Sequence, residues 1–75
     1  MILRDLFRVY LEYLSNAVIK VHEIVEYGVE TVHDIPNDLI LCWIAAGYGD
    51  QDYLLDLIVR SVYIKDNTLH ICVSR

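Results

Sequence analysis

Between Val21 and Val59 the sequence contains no lysine and no arginine. Phosphate backbones are held by clustered cations, so this stretch is a poor candidate for direct nucleic-acid binding. The basic residues Arg4, Arg8, Lys20, Arg60, Lys65 and Arg75 all lie outside it. Proline occurs once and glycine three times, and no repeat, linker or low-complexity segment is visible. The two cysteines, Cys42 and Cys72, allow at most one bridge and sit in apolar runs. There, reduced thiols pack as small hydrophobes. The N-terminus lacks an apolar h-region followed by a small-residue cleavage site. The longest apolar run, residues 39–46, is far shorter than the ~20 residues that span a bilayer. A cytoplasmic location is expected.

What is abundant is apolar and acidic. The apolar fraction is 56%, against a usual value of about 45–50%. A chain of 75 residues buries only about 60% of the surface its unfolded form exposes, so part of the apolar surplus is expected at an interface. The net charge is −5, and the cation-free stretch holds Glu23, Glu26, Glu30, Asp34, Asp38, Asp50, Asp52 and Asp56. Such a surface attracts basic partners; the simpler use is solubility.

The expected fold class is α+β, ordered α-β-β-α-β-β in a single domain over residues 1–75. Leu3, Leu6, Phe7, Tyr10 and Leu14 recur at helical spacing and predict an amphipathic helix over residues 2–15, with Arg8 and Glu12 as an i,i+4 pair. Residues 17–27 are rich in β-branched side chains and read as a strand. Gly28 supplies a turn, and residues 29–35 return. Pro36 and Asp38 favour a helix start, giving a short helix over residues 37–47. Asp50 or Asp52 caps a further turn through Asp56. Residues 57–64 and 69–73 form a second hairpin around a type I′ Asp66-Asn67 turn. That turn pairs Ile64 with Leu69, Val62 with Ile71 and Arg60 with Val73, all expected to face the core. Tyr63 with His70 and Ser61 with Cys72 take the opposite face.

The stretch VHEIVEYGVETVHD, residues 21–34, carries two His-acid pairs about Gly28. A three-residue loop, Tyr27-Gly28-Val29, sets Glu23 against His33, His22 against Asp34 and Val21 against Ile35. The two histidines then meet carboxylates on opposite faces of the ribbon. A two-residue Gly28-Val29 turn is the rival and sets Glu23 against Asp34, which repel.

No catalytic or metal constellation follows. His22, His33, His70, Cys42 and Cys72 supply ligand atoms without a zinc spacing. Asp50, Asp52 and Asp56 lack the glycine and terminal glutamate of an EF-hand loop. Ser15, Ser61 and Ser74 lie in no nucleophile-like turn, and Gly47-Tyr48-Gly49 has no following helix signature. No enzyme activity and no cofactor are expected. Binding is the stronger expectation, because six tyrosines and one tryptophan are residue types that dominate interface hot spots. The candidate surface is Glu23, Glu26, Tyr27, Glu30, Asp34, Tyr48, Asp50, Asp52, Tyr53 and Asp56.

Ile35-Pro36, Leu54-Leu55-Asp56, Val59, Val62 and residues 67–73 (NTLHICV) resemble a pattern in small orphan proteins of bacteriophages. In these an Ile-Pro step and a Leu-rich helical turn lead into a terminal hairpin. The likeness covers about a third of the chain, and residues 37–52 look like an insertion. Phage proteins of this size and acidity include anti-CRISPR inhibitors. The resemblance implies a non-enzymatic inhibitor that blocks a basic, nucleic-acid-binding groove of a host protein. The alternative is a self-associating structural or regulatory subunit, with its apolar surplus around Trp43.

Overall fold

The computed structural model describes residues 1–14, 18–35, 43, 49 and 52–75, with the backbone alone for residues 10–14. Helix α1 (Leu3–Leu14) precedes β1 (Val18–Ile24), β2 (Glu30–Ile35), β3 (Ile58–Lys65) and β4 (Thr68–Ser74). Short 3₁₀ turns stand at Glu26–Gly28 and Asp52–Asp56. The result is a small α+β fold with one N-terminal helix and, among the described residues, a four-stranded mixed sheet ordered β2-β1-β4-β3. Of the expected helix over residues 37–47 only Trp43 is described; its other residues, with Cys42, and the Arg8–Glu12 side-chain pair lie outside what is described.

Two antiparallel hairpins join through a parallel seam. Val18 to Glu23 of β1 run in register with Thr68 to Val73 of β4. Strand alternation then sorts the side chains. Ile19 and Val21 of β1, Ile35 of β2, and Ile71 and Val73 of β4 point one way into the core. Leu3 and Phe7 cover them from α1, while Leu54, Leu55 and Leu57 close one end. Trp43 is fully buried here, its ring 5.6 Å from Phe7 at a tilt of 51°. Tilted aromatic pairs are favoured by ring quadrupoles. Trp43 is therefore core rather than the expected apolar interface.

The C-terminal hairpin matches its expected register from Lys65–Thr68 back to Ser61–Cys72. Asp66 and Asn67 both take positive φ, 54° and 60°, as a type I′ turn requires. Arg60 does not meet Val73: the register shifts between Val59 and Ser61, and Val59 pairs with Val73. Such an extra residue is a β-bulge, which bends and twists its strand. The expectation that Val62 and Ile64 face the core is also corrected. They lie on that face, but β3 is an edge strand of the sheet among the described residues, and they are 46% and 77% exposed.

The N-terminal hairpin adopts neither expected register. Ile24 pairs with Glu30, His22 with Val32, Lys20 with Asp34 and Ile19 with Ile35. The strands have slipped by two residues from the three-residue-loop pairing. An even slip keeps every side chain on its face. It sets the buried Ile19 against the buried Ile35 and brings Lys20 Nζ within 3.4 Å of Asp34 Oδ1. The longer loop closes through Val25 N–H donating to Val29 O at 2.9 Å.

Candidate binding surface

The loop that this slip creates holds Glu26, Tyr27 and Gly28. Tyr27 has φ 66° and ψ 19°, and Gly28 has φ 74°. Glycine takes this region freely; a tyrosine there costs about 1–2 kcal/mol. Tyr27 is also 98% exposed, so no burial offsets that cost. Beside the tip lies a groove of about 780 Å³, lined by residues 23–27 with Leu57, Ser74 and Arg75.

Most of the predicted acids are paired within the chain, although the Asp34 and Asp56 side chains stay 79% and 69% exposed. Glu23 Oε1 accepts Tyr53 O–H at 2.5 Å and stands 3.1 Å from His33 Nε2. Asp34 pairs with Lys20, and Asp56 Oδ1 lies 3.3 Å from Arg4 Nη2. Asp52 Oδ1 accepts Trp43 Nε1–H at 2.9 Å, the kind of partner a buried indole N–H takes. Glu30 bonds to His22 Nδ1. Glu26 is exposed at the tip and is drawn into no such pair among the described residues. Tyr48 and Asp50 lie outside the described residues. The structure thus gathers Glu23, Glu26 and Tyr27 at one groove, with Tyr53 bonded to Glu23, and distributes Asp34, Asp52 and Asp56 to separate structural pairs.

The hydrogen bond from Tyr53 to Glu23, aided by partial burial and the carboxylate's charge, raises the phenol above the usual tyrosine range; Arg75 pulls the other way. Since the folded value is raised, this contact stabilises the fold at neutral pH and is lost as pH rises through the raised value. Ultraviolet titration of the six tyrosines should show one late-ionising phenol. In Glu23→Gln that phenol should ionise earlier. An unaltered titration would show that Glu23 does not hold it.

On the sheet face away from α1, Glu30, His22, His70 and Tyr63 form a row across all four strands. His22 Nε2 lies 2.7 Å from His70 Nδ1, and the Tyr63 ring stacks on His70 at 4.7 Å and 4°. His22 is only 8% exposed. A neutral His22 that donates Nδ1–H to Glu30 has only a lone pair left at Nε2, so His70 donates from Nδ1. The sequence paired Tyr63 with His70 but missed His22–His70, because nothing in it marks the parallel seam. The two histidines do meet carboxylates on opposite faces of the ribbon, as expected. His22 takes Glu30 in place of Asp34, a consequence of the slip.

No group of three His, Cys, Asp or Glu among the described residues is placed to hold a metal ion. No helix among them is long and apolar enough to cross a membrane. Comparison with protein-family models, with curated proteins and with solved structures finds no match for this chain.

Proposed function

We propose that the chain is a non-enzymatic binding domain that presents the tip of its first hairpin to a basic protein surface. The observation that carries this reading is Tyr27, held nearly fully exposed in a backbone conformation that costs free energy. Strain kept at an exposed aromatic is a mark of functional sites, and tyrosine is a preferred hot-spot residue. Glu26 beside it, in a stretch without cations, selects partners of positive charge. Taken with the phage-like C-terminal pattern, the specific form of the proposal is an inhibitor. It would block the nucleic-acid groove of a host defence nuclease such as a CRISPR effector. Lys20 and Arg4 offset the charge of the exposed Asp34 and Asp56, which concentrates phosphate mimicry at the tip and its groove.

Capture of partners on the immobilised chain from a bacterial lysate, identified by mass spectrometry, tests this reading. A basic protein should be retained, and its affinity should fall as salt rises. Tyr27→Asn should leave stability unchanged or raised, because asparagine tolerates positive φ, yet weaken capture by about 30-fold or more, the scale of a hot-spot loss. Retention that ignores both salt and Tyr27→Asn would refute it. A second reading, self-association, is supported by the exposed Val62 and Ile64 on β3.

A further inference from the structure

The outer edge of β3 is divided in two. Its first part is covered by the chain's own N-terminus: Leu3 N–H donates to Leu57 O at 3.0 Å and Val59 N–H to Met1 O at 2.9 Å, with Ile2 bridging Ile58. Beyond Val59 the described residues place no neighbour on that edge. The open segment is residues 60–66.

The direction of its backbone groups follows from these contacts. Leu57 O and Val59 N–H point outward, since they meet the N-terminus. The bulge at Arg60 inserts one residue and reverses the alternation. The two-residue Asp66-Asn67 turn is closed by the Lys65–Thr68 pair, whose backbone groups face each other across the hairpin. Lys65, Tyr63 and Ser61 therefore bond inward to β4, and Val62 and Ile64 direct N–H and C=O outward. An open row of this kind is a template for another strand.

We infer that this edge pairs with the same edge of a second copy, antiparallel about a two-fold axis through Tyr63. The inference gives the self-association reading its surface and rests on that reading. Only registers that set outward residues against outward residues make hydrogen bonds, which requires Val62 or Ile64 opposite one of the same pair. The register centred on Tyr63 uses the whole open segment. Val62 faces the partner's Ile64 in both halves, each pair exchanging two backbone hydrogen bonds. Tyr63 faces its own copy, Ser61 faces Lys65, and Arg60, whose guanidinium also bonds Ser74 Oγ and Arg75 O of its own chain, faces Asp66. Apolar meets apolar and base meets acid, with no like charges opposed, as an isologous interface demands. Centring on Val62 instead would run Asp66 into Ile58, where the N-terminus already sits.

The test is light scattering on the intact chain together with a cross-link at the axis. The mass should be twice 8.7 kDa at high concentration, and Val62→Lys should return it to the single-chain value with unchanged circular dichroism. A non-hydrogen-bonded antiparallel pair has Cα atoms about 4.5 Å apart, within disulfide reach. Tyr63→Cys should therefore bridge to its own copy under oxidation, with peptide mapping placing the bond at position 63 on both chains. Ile64→Cys, whose opposite is Val62, should not bridge to itself at position 64. A single-chain mass at the highest soluble concentration sinks both self-association and this interface. A dimer that survives Val62→Lys, or whose Tyr63→Cys form does not bridge at position 63, keeps self-association and overturns this interface. If Val62→Lys unfolds, the Tyr63→Cys map decides.

Discussion

Phe7→Ala should remove a quarter or more of the folding stability. Phe7 is fully buried, packs on Trp43 and belongs to the cluster that joins α1 to the sheet. Removing such a ring costs about 3–5 kcal/mol, because the transfer term is lost and the cavity left behind collapses only in part. A chain of 75 residues has a total stability of about 4–11 kcal/mol by the usual per-residue figure. The loss is therefore about a quarter of the whole or more. At this size each kcal/mol moves the midpoint by about 4–8 °C, so the Tm should fall by about 12–40 °C. Thermal unfolding followed by circular dichroism measures it. A fall of only a few degrees would mean that α1 is not anchored by this ring. Val9, exposed on the same helix, is the control, and Val9→Ala should leave the Tm nearly unchanged.

The two hairpins show why one register was legible and the other was not. In the C-terminal hairpin, Asp66-Asn67 fixes the turn type, and that turn aligns the alternating Val62, Ile64, Leu69 and Ile71. Local chemistry and apolar pattern agree, so the register could be read. Around Gly28 they do not single out one answer, since any even slip keeps Ile19, Val21 and Ile35 on one face. The choice was settled by long-range terms, the burial of Ile19 against Ile35 and the Lys20–Asp34 pair, and by a tyrosine accepting positive φ. No residue type announces that. Exposure on β3 was illegible for a related reason: Val62 and Ile64 carry a core pattern, and only the strand order makes β3 an edge. Of the site, Tyr27 and Glu26 were found through the charge gap. The Glu23–His33 contact was also anticipated, whereas the Tyr53 bond to Glu23 and the partners of Glu30, Asp34 and Asp56 were not, because the register slip and the packing of other elements select them.

Replacing His22 should loosen the seam that unites the hairpins. His22 stands on β1, bonds Glu30 on β2 through Nδ1 and His70 on β4 through Nε2, and is nearly buried. Leucine has a similar volume, so His22→Leu removes both hydrogen bonds with little change in packing. A bond to a charged group is worth about 1.5–3 kcal/mol and a neutral one about 1 kcal/mol. The Glu30 side chain is 43% exposed, so it turns to water and much of its share is recovered. Burial of leucine returns part of the rest. The net loss should be about 2 kcal/mol, a Tm fall of about 8–16 °C. His70→Leu should cost less, because His70 is more exposed and holds only one of the bonds described. The double variant should fall short of the sum by about 0.5 kcal/mol or more, since both single changes break the same contact. Additivity would mean that the 2.7 Å contact contributes nothing to stability. A full sum, with the nitrogen-15 tautomer pattern of His70 unchanged in His22→Leu and that of His22 unchanged in His70→Leu, would go further. It would assign the order of the seam to backbone pairing and the apolar face alone, with the histidine row merely resting on a sheet that forms without it.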